Sequence, residues 1–335
     1  MELNKLLVSI CMPAYNAGDY IAQAIESVIN QSYANWELII VDVGSTDNTS
    51  EVANGFSDKR IIVLHQQNSG QCAAANRAFA VSNGDLIKFF DADDLLSSEF
   101  IQNQVSRLGD IRDCVVSAKW GRFYNDDLST FQLNPENVWQ DMTPGIWLIT
   151  AWTKGNQMMQ CALWLIPREI LNRSGLWDER LSLINDFDFF TRVLLESRLI
   201  LFESDAVLYY RSGLKGSLSG NKSRKGYKSA FLSIKKATSA LLDRQHDPAT
   251  LMACANIWQL FIYDIYPESP DLIQKAENYL KLLPKPSIRF PCGGYTKWLV
   301  QLLNWKTAKY LKWKLTKFKA HQLASMYNDR TVNIK

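Results

Sequence analysis

Through the first third of the chain, short apolar runs alternate with segments of helical rhythm. Residues 6–12 (LLVSICM) read as a strand, and Tyr20, Ile21, Ala24, Ile25, Val28 and Ile29 then recur every three to four positions, as one buried helix face requires. The string WELIIVD (36–42) predicts a second strand, GSTDNTSEVANGF (44–56) a turn and short helix, and RIIVLH (60–65) a third strand. GQCAAANRAFAVS (70–82) predicts a helix, with Ala73, Ala74 and Ala75 small enough for it to lie close to a sheet, and DLIKFFD (85–91) a fourth strand. This alternation marks a parallel, doubly wound sheet with crossover helices.

After about residue 112 the pattern becomes mixed. CVVSAKWGRFY (114–124) and QCALWLIP (160–167) read as strands around a Trp-rich middle, NDFDFFTRVLLES (185–197) as a helix, and RLILFE and AVLYYR as two strand-like runs. Gly, Ser and Lys then accumulate between residues 211 and 226, the composition of a loop or linker. Beyond it, residues 228–244, 249–265, 270–283 and 296–327 have helical periodicity. The expected organisation is an α/β unit over 1–212, a flexible linker over 213–227 and a helical region over 228–335, with no internal repeat.

Composition narrows the classes. With 335 residues, 47% hydrophobic and 21% charged, the chain can bury a substantial core, and a net charge of +3 is too small to imply nucleic acid by itself. The six cysteines contain no CxxC pair and the three histidines stand far apart, so neither a disulfide framework nor a zinc site is expected. No secretion signal is read at the first apolar run, and no apolar stretch reaches the roughly 18 residues of a spanning helix. The expected setting is cytoplasmic, in a reducing compartment.

Open α/β sheets bind ligands beyond the carboxyl ends of their strands. Here those ends carry Pro13, Ala14 and Tyr15, then Asp42, then Asp91 and Asp93. The string DADD puts three carboxylates, Asp91, Asp93 and Asp94, directly after an apolar strand. Such a cluster implies a bound cation, perturbed protonation, or a solvated helix cap built by Asp94 with Ser97 or Ser98. In extended backbone Asp91 and Asp93 face one side, and two carboxylates suit a Mg²⁺-like ion whose other oxygens come from phosphates and water. Leu96 stands where an EF-hand needs glycine, and the glycine-rich fingerprints of dinucleotide and P-loop sites are missing, which argues against a nicotinamide dehydrogenase.

Taken in order, VSICMPAYN, IAQAIESVINQSYANWELIIVDVGSTDNT, NSGQCAAANRAF, GDLIKFFDADD and GLWDERLSLINDFDFFTRV resemble the family 2 glycosyltransferases, of GT-A fold, over residues 6–212. The resemblance implies a GT-A, Rossmann-like mixed sheet with flanking helices, followed by the helical C-terminal region. It implies that Ala14 and Tyr15 line the nucleotide pocket, and that Asp42 accepts a hydrogen bond from the base, typically uracil. Asp91 and Asp93 match the DXD motif, Asp91 near ribose or metal and Asp93 as a ligand of Mn²⁺ or Mg²⁺ under the diphosphate. Asp186 matches the catalytic base.

The implied reaction is inverting transfer from a nucleotide-sugar, most commonly a UDP-sugar, to a hydroxyl of a saccharide or lipid-linked glycan. Since no Gln-x-x-Arg-Trp motif is found, single-residue transfer is expected rather than processive synthesis. Val43, Ala75 and Asn185 stand where relatives often carry Asp, Arg and Glu, which keeps a catalytically weak nucleotide-sugar-binding protein as the alternative. Asp186 and Asp188 straddle Phe187 near a helix start, so only one is expected to face the sheet edge, walled by Phe187, Phe189 and Trp177.

Three surface expectations remain. Trp120, Trp139, Trp147, Trp152 and Trp164 are read either as core or as sugar-stacking rings. Arg211, with Ser217 and Ser219 after it, resembles the family's mobile loop that closes over the diphosphate, or marks a plain solvated loop. Residues 296–320 combine an apolar stripe with Lys309, Lys312, Lys314 and Lys317, the pattern either of a helix lying on an anionic membrane surface or of one packed on the protein with a solvated lysine face.

Overall fold

The structure, a computed structural model, describes residues 6–155, 158–214 and 223–332, the side chains of 295, 296 and 319–332 excepted. Its first layer is built as the alternation predicts, from β1 (Val8–Ala14), α1 (Ile21–Ile29), β2 (Trp36–Asp42), α2 (Thr49–Asn54), β3 (Ile61–His65), α3 (Gln71–Val81) and β4 (Leu86–Phe89). These strands form a five-stranded sheet in the order β3-β2-β1-β4-β8, parallel except for β8 (Ile166–Pro167). β1 is buried on both faces apart from part of Pro13, because helices cover both sides of such a sheet. Ala74 and Ala75 are buried where α3 approaches β1 and β2.

Register brings the strand ends level. Ala14 lies opposite Asp42, Asp42 opposite His65, and Cys11 opposite Phe89, two residues before Asp91. The edge inferred from the sequence is therefore one edge in space.

A second sheet, in the order β5-β9-β6-β7, meets the first where Val116 of its central strand exchanges backbone hydrogen bonds with Leu165, just before β8. It holds β5 (Leu95–Leu96), β6 (Cys114–Tyr124), β7 (Asp127–Leu133) and β9 (Leu199–Ser212), with α4 (Phe100–Leu108) packed against β6 and β9. The two strand-like runs after residue 198 are a single strand: pairing with β6 jumps from Glu203 opposite Ala118 to Val207 opposite Lys119, so the polar break between them is a bulge.

QCALWLIP is not the expected strand. It forms a 3-10 turn at Cys161–Leu163 followed by the two residues of β8. Gln160 accepts from the Ala162 N–H at 2.9 Å, and the buried Lys88 Nζ donates to the Ala162 and Trp164 carbonyls at 2.7 and 3.3 Å. Side chains thus satisfy backbone groups that a ladder would have used.

The remaining helices are α5 (Pro144–Thr153), α6 (Arg168–Ser174), α7 (Asn185–Leu195), α8 (Arg224–Leu242), α9 (Pro248–Ile265), α10 (Pro270–Leu280), α11 (Tyr295–Leu303) and α12 (Trp305–Val332). α8 begins inside the expected linker, whose residues 215–222, including Ser217 and Ser219, lie outside the described residues. The long helix expected over 296–327 is broken at Asn304, which takes a left-handed φ of 67° and caps α12 by accepting from the Thr307 N–H at 3.1 Å.

Four of the five tryptophans offered for sugar stacking are core residues: Trp120, Trp147, Trp152 and Trp164 are buried, and Trp139 stacks on Phe202. Burial against Phe187 and Phe190 leaves Trp152 and Trp164 no open ring face.

The C-terminal helices pack directly on the α/β part, α8 against α7 and α9 against α5. Asn256, fully buried on α9, donates to the Thr153 carbonyl at 2.8 Å and accepts from the Ser287 and Ile288 N–H groups at 2.8 and 3.3 Å. Asn256→Leu should therefore cost about 3 kcal/mol, since it strands buried backbone groups. Urea unfolding checks this as a lowered midpoint with unchanged slope.

Candidate active site

Two loops form one wall of the strand-end edge. The loop after β1 and the loop after β2 are laced together: Asn16 N donates to Ser45 Oγ at 2.9 Å, Thr46 N to Asn16 Oδ1 at 2.8 Å, Ala17 N to Thr49 Oγ1 at 2.7 Å, and Gly18 N to Asp47 Oδ2 at 3.0 Å. Gly44 allows the turn by taking φ +75°. Ala14 is buried at the base of this wall, and Tyr15 projects from it, 49% exposed. Asp42 is buried with one oxygen accepting from Ser45 N and Oγ at 3.1 and 2.5 Å, while the other faces His65 Nδ1 at 3.4 Å.

The carboxylates after β4 divide their roles. Asp94 is fully buried and is not a solvated cap: it accepts from Gln160 Nε2 at 2.6 Å and from Arg211 N at 2.9 Å. Burial, and then the charges of Asp93 and Asp91, hold its carboxyl well above the ordinary range. Asp91 is held from three directions, by Gln71 Nε2 at 2.9 Å, Gln160 Nε2 at 3.2 Å and the Cys161 thiol. Burial raises it too.

Asp93 is partly buried, and among the described residues no side chain donates a hydrogen bond to its carboxylate. Burial first, then Asp91, push it up to about 7. No cluster of three or more His, Cys, Asp or Glu side chains able to hold a metal occurs among the described residues. What the edge offers is a two-carboxylate oxygen set, Asp91 and Asp93, and that chemistry suits a hard divalent ion completed by phosphate and water.

Arg211 opposes this charge from below. It sits buried near the end of β9, with Nε donating to the Asp93 carbonyl at 2.7 Å, Nη2 to Gln23 at 2.8 Å, and an ion pair to Asp126. The Arg211 side chain is thus engaged within the protein, and the loop expected to follow it, with Ser217 and Ser219, lies outside the described residues.

Asp186 and Asp188 face opposite ways, as their helical spacing requires. Asp188 is fully buried against α8, paired with Arg192 at 3.0 Å and Lys236 at 2.9 Å. Asp186 accepts from its neighbour Phe187 N at 2.9 Å and lies within electrostatic reach of Asp91. Burial raises its carboxyl to about 6, against the lowering effect of N–H donors from Phe187 and Met159.

The turn before Asp186 is strained: Ile184, a β-branched residue, has φ 57°. α8 holds it there. Ser229 Oγ accepts from Ser182 N and Leu183 N at 2.8 and 2.9 Å, and Ser233 Oγ donates to the Ile184 carbonyl at 2.5 Å.

A chain of amides joins the two carboxylate centres. Gln71, which donates to Asp91, accepts from Asn185 Nδ2 at 3.3 Å, and Asn185 Oδ1 accepts from Asp186 N at 3.1 Å. Asn185 also donates to Cys72 Sγ at 3.2 Å, on the floor of a cleft lined by Pro13, Gln71, Cys72, Ala75, Phe89, Asp91, Cys161 and Trp177. Gln71, Gln160, Ser229 and Ser233 carried no signal in the sequence, since single polar residues on helices and loops are common and their partners are far away along the chain.

Residues 9–175 match the family described as glycosyl transferase family 2. Glycosyltransferase GlyG of Streptococcus pneumoniae is 37% identical over 126 residues, 37% of this chain and 41% of GlyG. The Escherichia coli protein named UDP-Glc:alpha-D-GlcNAc-diphosphoundecaprenol beta-1,3-glucosyltransferase WfgD is 40% identical over 107 residues, 32% of this chain and 42% of WfgD. The chain thus spans about four tenths of the length of these curated relatives. Among solved structures, Staphylococcus aureus TarS 1–349 with UDP-GlcNAc superposes with a TM-score of 0.67 at 17% identity, over 83% of this chain and 82% of TarS, a likeness of fold. The chain belongs to glycosyl transferase family 2, and its fold is GT-A.

Proposed function

We propose that this protein is an inverting glycosyltransferase that moves one sugar from a UDP-sugar to a hydroxyl of a saccharide or lipid-linked glycan. The observation that carries the reading is the meeting, at one sheet edge, of a partly buried carboxylate pair, Asp91 and Asp93, with a carboxylate whose burial raises it to about 6, Asp186. UDP-GlcNAc in the TarS complex, and the UDP-glucose donor and lipid diphosphate acceptor in the name of WfgD, support the donor and acceptor classes. A cytoplasmic setting belongs to the same proposal, with six free cysteines as its support.

In this reading Ala14, Tyr15 and Asp42 receive the nucleotide along the laced loops, the Asp42 oxygen that faces His65 accepting from the base. Asp93 and Asp91 would hold a divalent ion, Mn²⁺ or Mg²⁺, which supplies charge neutralisation for the departing diphosphate. Asp186 takes the proton from the acceptor hydroxyl. The acceptor oxygen forms its bond to the anomeric carbon as the bond from that carbon to the diphosphate oxygen breaks, so the linkage inverts. Residues 1–212 would do this chemistry, and α8 would keep the Asp186 turn in its strained shape.

The test of the whole reading is a panel of UDP-, GDP- and dTDP-sugars with Mn²⁺ or Mg²⁺, scored for release of nucleoside diphosphate. Release from a UDP-sugar is expected; UDP binding with no release from any sugar would mark a nucleotide-sugar-binding protein instead. Asp186→Asn should keep UDP affinity within about twofold and lower transfer by at least about 100-fold, because an amide keeps the shape and cannot accept the proton. Calorimetry beside a transfer assay separates the two effects.

The pH profile follows from the raised Asp186 carboxyl. Its basic form exists above about 6, so at saturating metal, which keeps Asp93 ionised, kcat/KM should be level above that value and fall about tenfold per unit below it. A profile unchanged down to about pH 4.5 would remove Asp186 from the role.

A further inference from the structure

α12 has two apolar sides, and the fold uses one. Toward α9, α10 and the turn between them the helix is fastened: Ala308 is buried, the Trp305 ring lies 4.8 Å from that of Tyr263 on α9, Lys306 pairs with Glu277 on α10 at 2.9 Å, and Trp313 Nε1 donates to Glu268 in the turn at 3.2 Å. On another side Leu311, Leu315 and Phe318 recur at i, i+4 and i+7, with Leu315 62% and Phe318 63% exposed. α11 adds Trp298 and Leu302 one turn apart, 70% and 74% exposed. Single exposed apolar residues are ordinary; a helical stripe of them on two successive helices marks an interaction surface.

Charge indicates what covers it. No acidic residue occurs between Glu277 and Asp329. Lys297, Lys312, Lys314 and Lys317 are exposed, and none pairs with a carboxylate among the described residues. The Lys314 and Lys317 amines lie over the Tyr310 and Trp313 rings, each 5.1 Å from the ring centre, beside the stripe. A second copy of the chain would set this cationic face against itself. Nucleic acid would match the lysines and leave the leucines in water. A bilayer with anionic head groups matches both, because apolar side chains enter the acyl boundary while lysines reach back to the phosphates. No helix among the described residues is long and apolar enough to cross a membrane.

We infer that α11 and the first half of α12 form a docking surface for an anionic lipid bilayer, lying in its interface. This goes beyond sugar transfer and stands or falls without it. The test is flotation of the full chain with vesicles of phosphatidylcholine alone, or with roughly one-third phosphatidylglycerol, at about 0.05 M and about 0.5 M salt. Phosphatidylglycerol at low salt should raise the bound fraction at least about tenfold, and high salt should abolish the gain. Leu315→Glu with Phe318→Glu, and separately Lys312→Glu with Lys314→Glu and Lys317→Glu, should each lower binding about tenfold with melting by circular dichroism unchanged.

Equal flotation with both lipids, or wild-type binding in both variants, overturns the inference. So does a dimer in sedimentation velocity that Leu315→Glu with Phe318→Glu dissolves in a protein that ignores vesicles.

Discussion

Negative charge packed at the end of β4 is the constraint around which the site is arranged. Three carboxylates fall within four residues, and each is raised above its ordinary range because burial removes water, with repulsion from the neighbouring carboxylates added at Asp93 and Asp94. The protein answers this with donors from widely separated elements. Gln71 comes from the start of α3, Gln160 from the turn before β8, and Arg211 from β9. Asp94 is absorbed by this framework and Asp91 is oriented by it, which leaves Asp93 partly buried and, among the described residues, without a side-chain donor. In the proposed function a divalent cation with a diphosphate would be the chemical partner that answers this remaining negative charge.

The second centre depends on the C-terminal helices. Asp186 follows a residue in left-handed conformation that a β-branched side chain resists, and such strain persists only where surrounding contacts over-determine it. Ser229 and Ser233 of α8 supply those contacts, while Lys236 from the same helix neutralises Asp188 and fixes the rotation of α7. The helical region is thus part of the means by which the raised carboxyl of Asp186 is turned toward Asp91 and not toward α8.

Much of the first sheet was legible because periodicity and strand ends are local properties. The 3.6-residue rhythm of α1, the apolar runs of β1 to β4 and the three strands ending in polar residues at one edge all reappear in space. The readings that failed depended on distant partners. QCALWLIP has the composition of a strand, yet Lys88 and Gln160 satisfy its backbone differently. Of the two readings open for the tryptophans, core holds for four, Trp152 and Trp164 being covered by Phe187 and Phe190. Arg211 ends the strand-like run AVLYYR, as read, but its partners Asp93, Asp94, Gln23 and Asp126 are far from it in sequence and could not be foreseen. Asp94, read as one possible helix cap, proved to be the buried member of the cluster.

If Asp91 and Asp93 hold a divalent cation beneath a nucleotide diphosphate, as proposed, UDP binding depends on that cation. Titration calorimetry of UDP into the protein, with Mn²⁺ and then with excess EDTA, measures this. Binding should be at least about tenfold tighter with Mn²⁺, a gain that disappears in Asp93→Asn. Equal UDP affinity in Mn²⁺ and EDTA would contradict the proposal.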